Sequence, residues 1–206
     1  IAEYLEKYNK PCTTIAYGAQ VVCTSNRTIL GNQGLPTRDF VLHVGRIQAD
    51  NHVKEILESS KQSGKTLVAV GDYSTSYGKK LYHKYRECAH IIFPGTIYDK
   101  EIIDALRMHC DAYLHGHSAG GTNPALLEAM GCGSFILAHN NPFNASVLGG
   151  LGGLWSTAEE LTSMLNNLPN NDVRAAQKEL AQSRIKEHFN WEGVAKAYIN
   201  TFEGLQ

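Results

Sequence analysis

Two apolar periods alternate along this chain. Short runs rich in β-branched residues fall at 13–16, 40–44, 67–70, 91–93, 112–114 and 135–138. Between them, apolar residues recur at helical spacing: Val53, Ile56 and Leu57 in 53–60; Ile102, Ile103 and Leu106 in 101–108; Leu126, Leu127 and Met130 in 124–130. Strands alternating with helices of about ten residues predict βαβ units and a parallel sheet. The runs are apolar on both faces, as strands are when helices cover both sides. The expected fold class is α/β.

Gly45, Gly71, Gly95, Gly116 and Gly133 stand close to strand ends or starts. Open α/β sheets bind ligands outside the carboxyl ends of their strands, so a site is expected among 45–51, 71–77, 95–99 and 115–123. From about Thr157 the pattern is helical, over 158–168, 173–189 and 191–202, with no further strand. The last stretch carries Trp191, Val194, Ala195, Tyr198 and Phe202 on one stripe, which needs a partner surface. The polar stretch 24–38, with Gly31, Gly34 and Pro36, reads as a linker.

Charge and cysteine content narrow the function classes. Nineteen basic and 20 acidic side chains leave a formal charge of −1. That lacks the basic excess of a nucleic-acid surface, so no nucleic-acid partner is expected. The five cysteines, Cys12, Cys23, Cys88, Cys110 and Cys132, are odd in number and no pair has C-x-x-C spacing. A zinc ribbon or disulfide scaffold is disfavoured and a reducing compartment favoured. No apolar run approaches the ~18 residues of a membrane span, and no signal peptide is expected. A chain of 206 residues that opens at Ile1 is expected to be a piece of a longer protein, whose function needs the missing half.

The densest motif is HGHSAGGTNPALLEAM at 115–130, which follows a strand and opens a helix. Gly120 and Gly121 let backbone approach a ligand. Thr122 or Asn123 can cap the helix and Pro124 suits its first turn. Free N–H groups and the helix dipole favour a phosphate there. Glu128, one turn further in, could accept hydrogen bonds from a ribose diol; the bland alternative is a solvated carboxylate. His115 and His117 at i, i+2 lack a third ligand at a recognisable spacing, so no metal is expected; a bond to a ligand hydroxyl or phosphate is the better functional reading. Arg46, at the end of 40–45, suits bidentate phosphate recognition, against the alternative of a surface pair with Asp50. Asp72 is equally a turn residue, and the polar loop 140–144 presents amides to a sugar or caps the next helix.

These segments together resemble the C-terminal, donor-binding half of a GT-B glycosyltransferase of family 4. VLHVGR at 41–46 and LVAVGD at 67–72 resemble two of its strands, IIFPG at 91–95 a third, and NPALLEAM with GCGS at 123–134 its helix and turn. HFNW at 188–191 is similar to its closing segment, and HGHSAGGTNP looks like a rhamnosyltransferase-like, polysaccharide-building subgroup. The resemblance implies a Rossmann-like parallel sheet with helices on both faces. It implies a hexosyltransferase that moves sugar from a nucleoside diphosphate donor to a glycan or lipid-linked glycan with retention, needing no cofactor or metal. Glu128 would hold the ribose. Arg46, with Gly45 beside it, would neutralise the diphosphate. Amides around Gly120, Gly121, Thr122 and Asn123 would hold the distal phosphate, and Ile97 and Tyr98 would lie by the base. Residues 1–36 would end the preceding domain and form the hinge, 37–189 would bind the nucleotide sugar, and 190–206 would cross back. A cytoplasmic location is expected, with membrane association of the whole enzyme left open.

Two positions depart from the family pattern. The Glu usual eight residues before the ribose Glu is Gly120 here, and the Lys usual five after the Arg is Asn51, next to His52. The favoured reading is an altered donor site in which His117 or His52 compensates, with His117 placed beside Arg46 as a catalytic residue. A non-catalytic nucleotide-sugar-binding module and a sugar-nucleotide epimerase remain the alternatives.

Overall fold

The computed structural model describes residues 13–119 and 121–204. Six strands form one parallel sheet: β1 (Phe40–Val44), β2 (Thr66–Val70), β3 (Ile91–Gly95), β4 (Ala112–His115), β5 (Ile136–His139) and β6 (Gly153–Trp155). Their spatial order is β3-β2-β1-β4-β5-β6. The helices are α1 (Thr28–Asn32), α2 (Val53–Ser63), α3 (Ser76–Tyr85), α4 (Lys100–His109), α5 (Pro124–Gly131), α6 (Pro142–Leu148), α7 (Ala158–Asn166), α8 (Asn171–His188) and α9 (Trp191–Glu203).

The strand side chains alternate between two cores, as the period of two requires. Phe40, Leu42, Val68, Val70, Tyr113, Ile136 and Ala138 point to one face, where α4, α5 and α8 cover them. Val41, Leu67, Ala69, Ala112, Leu114 and Leu137 point to the other, under α2, α3 and α7. Helices therefore lie on both faces of a Rossmann-like sheet. The chain builds outward from β1 to β3, then returns to place β4 on the other side of β1. That reversal opens a crevice at the carboxyl ends of β1 and β4.

The run 13–16 is not a strand. Residues 13–20 are irregular backbone that crosses α5 and the end of α8: Ala19 N–H donates to the Phe189 carbonyl at 2.8 Å, and a Cβ at Gly131 would meet the Gln20 carbonyl oxygen at 2.2 Å. A strand needs a ladder neighbour, and this path offers none. The polar stretch 24–38 contains α1, and Leu30 and Leu35 are buried in the core. β6 was not expected; its three residues include two small or apolar ones beside Trp155, too few to set a period.

Candidate functional site

Two loops build the mouth of the crevice. The first leaves β1 through Gly45 and Arg46 and enters α2 by way of His52, whose φ of +47° is left-handed. The second leaves β4 through Gly116. A Cβ at Gly116 would stand 2.0 Å from the Asn51 carbonyl oxygen, so only glycine permits this approach. Hydrogen bonds stitch the loops together. Ser118 N–H and Oγ both donate to the Asp50 carbonyl, at 3.1 and 2.8 Å. Asn51 Nδ2 donates to the Arg46 carbonyl at 2.7 Å, which turns Asn51 Oδ1 toward His117 Nδ1, also at 2.7 Å. An amide oxygen only accepts, so the His117 proton sits on Nδ1 and Nε2 is left for a ligand. His52 Nδ1 donates to the Gly116 carbonyl at 2.8 Å, and its ring stacks on His139 with centroids 3.9 Å apart. From the far side, the amides of Asn141 and Asn144 donate to the His117 carbonyl at 3.1 and 2.9 Å.

Three hollows run side by side along this edge. The first, about 310 Å³, lies between Arg46, Asn51, His117 and the start of α5. The second, about 480 Å³, lies between Arg46, Gly71, Thr75, Ile97 and Tyr98. The third, about 430 Å³, holds Tyr98, Arg107 and Glu128. Arg46 belongs to the first two and Tyr98 to the last two, so the hollows form one groove.

Most of the expected site residues meet here. Gly45 lines the first two hollows, Asn123 the first, Ile97 the second and Glu128 the third. Arg46 is exposed and has no ion-pair partner among the described residues; the pair with Asp50 does not form. Gly121 and Thr122 sit in the loop just before α5 rather than on the walls, and Gly120 lies outside the described residues. Asn123 caps α5, its Oδ1 accepting from Ala125 N–H at 3.0 Å. Leu126 and Leu127 N–H both donate to the Asn123 carbonyl, and Pro124 has no N–H. The helix's own first donors are therefore occupied. The amides just before the helix without a partner among the described residues are those of Gly121, Thr122 and Asn123. Thr122 Oγ1 instead accepts from Tyr17 N–H at 2.9 Å. Asp72 is a turn residue, accepting from Ser74 N–H, and Asn141 caps α6.

Glu128 is not a solvated bystander. Arg107 Nη2 donates to its Oε2 at 2.5 Å, and the Arg107 side chain is only 5% exposed against 51% for Glu128. Oε1 has no partner among the described residues, and Glu128 lines the groove's third hollow. Sequence reasoning missed Arg107. The signal was there: Arg107 stands four residues after Ile103, on the buried stripe of α4, where an unpaired charge would be costly. His43, buried in β1 and lining the first hollow, was also missed; a polar side chain inside an apolar strand was its only mark. Among the described residues no group of three His, Cys, Asp or Glu could hold a metal ion, and no helix is long and apolar enough to cross a membrane.

A six-stranded parallel sheet with helices on both faces and a crevice at the carboxyl ends of β1 and β4 is the Rossmann-like fold of the GT-B class. The chain belongs to the family described as glycosyl transferases group 1, whose model matches residues 26–167. It is 33% identical over 180 residues to an uncharacterized glycosyltransferase of Methanocaldococcus jannaschii, covering 79% of this chain and 44% of that protein. Among solved structures it superposes on Anabaena HepE in complex with UDP-glucose with a TM-score of 0.79 at 19% identity, covering 93% of this chain and 57% of HepE. Sucrose-phosphate synthase from Thermosynechococcus elongatus gives 0.82 at 19% identity, over 98% and 55%. The C-terminal domain of a Francisella tularensis group 1 glycosyl transferase gives 0.67 at 16% identity, over 86% and 97%. The chain thus spans about half the length of the curated relative and of the two whole enzymes.

Proposed function

We propose that this chain is the donor-binding half of a retaining glycosyltransferase of family 4, rhamnosyltransferase-like in type, that moves a sugar from a nucleoside diphosphate to a glycan hydroxyl. In the step, the bond between the sugar's anomeric carbon and the diphosphate oxygen breaks and a bond to the acceptor oxygen forms. The bonding electron pair leaves with the diphosphate, where negative charge gathers, and the acceptor proton passes to that departing oxygen. The observation that carries the reading is the first hollow. An unpaired guanidinium (Arg46) and the free amide of Asn123 stand on its wall to meet that charge, with the free amide of Thr122 in the loop next to it. His117 presents Nε2 to the same space and takes the place of the side chains absent at Gly120 and Asn51. Glu128, steadied by Arg107, takes the ribose diol through Oε1, and Ile97 and Tyr98 flank the base. The binding of UDP-glucose by HepE supports a nucleotide-sugar ligand for this groove.

The whole enzyme's acceptor would sit on a preceding domain that residues 1–36 lead out of, with 37–189 binding the donor and 190–206 crossing back. Residues 1–12, 205 and 206 lie outside the described structure. Calorimetric titration of this chain with UDP, GDP and dTDP tests the reading. At least one should bind, and Arg46→Ala should weaken it by about tenfold, the loss of a charge-assisted bond. Failure of all three at millimolar concentration overturns it.

A further inference from the structure

Two imidazoles line the first hollow without any role in the diphosphate grip. His43 is 3% exposed and His115, the last residue of β4, is 4% exposed. His43 Nδ1 lies 3.0 Å from the Leu114 carbonyl oxygen. A carbonyl only accepts, so Nδ1 holds the proton, and in the neutral ring Nε2 is a bare lone pair. Burial, only partly opposed by the Leu114 bond, pushes the His43 pKa below its ordinary value. Burial likewise takes His115 down to about 3, with His43, His117 and His139 adding to the effect. Both rings are therefore neutral near pH 7.

His43 Nε2 and His115 Nε2 are buried, yet neither has a hydrogen-bond partner among the described residues. Buried polar atoms are seldom left so, and each such case asks for a reason. Position 45 bears on the first. A Cβ at Gly45 would stand 3.4 Å from both Cε1 and Nε2 of His43. The bare glycine puts no side-chain atom over that edge of the ring, and Gly45 and His43 both line the hollow they share with Arg46 and His117.

We infer that His43 Nε2 accepts a hydrogen bond from a hydroxyl of the donor's sugar, so that this hollow takes a sugar ring at its floor and phosphates at its rim. The inference rests on the donor reading above and adds a specificity-determining residue to it. A phosphate oxygen carries only lone pairs and is repelled by another; a sugar hydroxyl can donate. A neutral imidazole beneath a guanidinium thus sorts the two ends of a nucleoside diphosphate sugar. The hollow's volume, about 310 Å³, stands at the lower end of small-molecule pockets and suits one ring better than a whole nucleotide.

The test is calorimetry of this chain with UDP, GDP and dTDP, and with UDP-glucose, GDP-mannose and dTDP-rhamnose. His43→Phe should weaken the best-bound nucleotide sugar about five- to tenfold, the worth of one neutral hydrogen bond, and leave the matching diphosphate unchanged. His43→Gln, which keeps an acceptor oxygen, should recover part of the loss. An equal loss for both ligands, or none, overturns the assignment and leaves the donor reading standing. No binding of any of the six by the unaltered chain overturns the donor reading and this assignment with it. Nitrogen NMR of the histidine-labelled, unaltered chain settles the matter even if the variants do not fold. The His43 Nε2 resonance should move on adding the nucleotide sugar and stay on adding the diphosphate; equal responses overturn the assignment.

Discussion

Glu128 serves the protein as well as the groove. Its Oε2 pairs with Nη2 of Arg107, a guanidinium almost wholly withdrawn from water whose Nε has no partner among the described residues, and the next nearest carboxylate, Asp104, is 3.8 Å away. Glu128→Ala should therefore cost stability by about 1–3 kcal/mol, the range for stranding a buried donor, and Glu128→Gln less, since its amide oxygen still accepts. Urea denaturation of the three proteins checks this, and a fall in ligand binding by the alanine variant is to be read against it. The buried histidines give the second prediction. His115 titrates at about 3 in the folded chain against 6.5 for the free side chain, because burial opposes its charge; His43 and His139 are lowered in the same sense. The unfolded chain then binds protons more readily. The histidine contribution is complete above pH 6.5 and is lost as pH falls from there toward about 3. Its size for His115 is on the order of a few kcal/mol. Denaturation midpoints at about pH 7.5, 6 and 5, above the range where most carboxylates titrate, should fall steadily, and His115→Gln should flatten that slope. At this scale the sequence was legible where the chemistry is local. Arg46, Asn51, His117, Asn123 and Glu128 all reach the groove because each follows a strand or opens a helix. Arg107 and His43 were not legible in advance, because their meaning lies in what faces them across 21 and 71 residues of chain.

Among the elements, the loop pair after β1 and β4 decides whether a site exists at all. Its closeness is set by Gly116 against the Asn51 carbonyl, with no room for a methyl group. Gly116→Ala should force the loops apart, costing about 1–3 kcal/mol for overpacking. It should also weaken diphosphate binding, since Arg46 and His117 are both positioned by Asn51 in that seam. Thermal denaturation with calorimetry on the same sample tests both halves; a destabilised variant with unchanged affinity would show that the seam does not position the site. The strands β1 to β5 were readable to within a residue or two because they are apolar on both faces and bounded by glycine. The run 13–16 shows the limit of that signal. Its residues are as β-prone as those of β1, but a strand is a pairing, and its path over α5 leaves nothing to pair with. β6 fails in the opposite sense: three residues at the sheet edge become a strand only because β5 is there to receive them.

For the molecule as a whole, α9 is the part that does not close. None of its residues is buried, and Trp191, Tyr198, Ile199 and Phe202 are each about half exposed or more. At its first residue a Cβ at Gly18 would strike the Trp191 ring at 2.8 Å, so the indole lies directly on that backbone, and Val194, Ala197 and Thr201 further along are only half-buried. A helix of 13 residues with no buried residue is marginal by itself in water, because isolated helices shorter than about 12–15 residues rarely persist. The sequence showed this stripe and its need for a partner, but not the partner, because helical periodicity marks which face is apolar and carries no record of what packs on it. The proposed division of the whole enzyme supplies one: a preceding domain onto which α9 crosses back. On that division, amide hydrogens of the last two turns of α9 should exchange quickly in this chain, far faster than those of α5, whose inner face is fully buried. In a longer form carrying the preceding domain they should become protected, and Trp191, already seated on Gly18, should change least. Exchange followed by mass spectrometry on both forms decides it. Equal, fast exchange of those turns in the two forms would show that α9 covers nothing there, and the crossing helix would have to be given up, while the first two hollows of the groove, which no residue of α9 lines, stood unchanged.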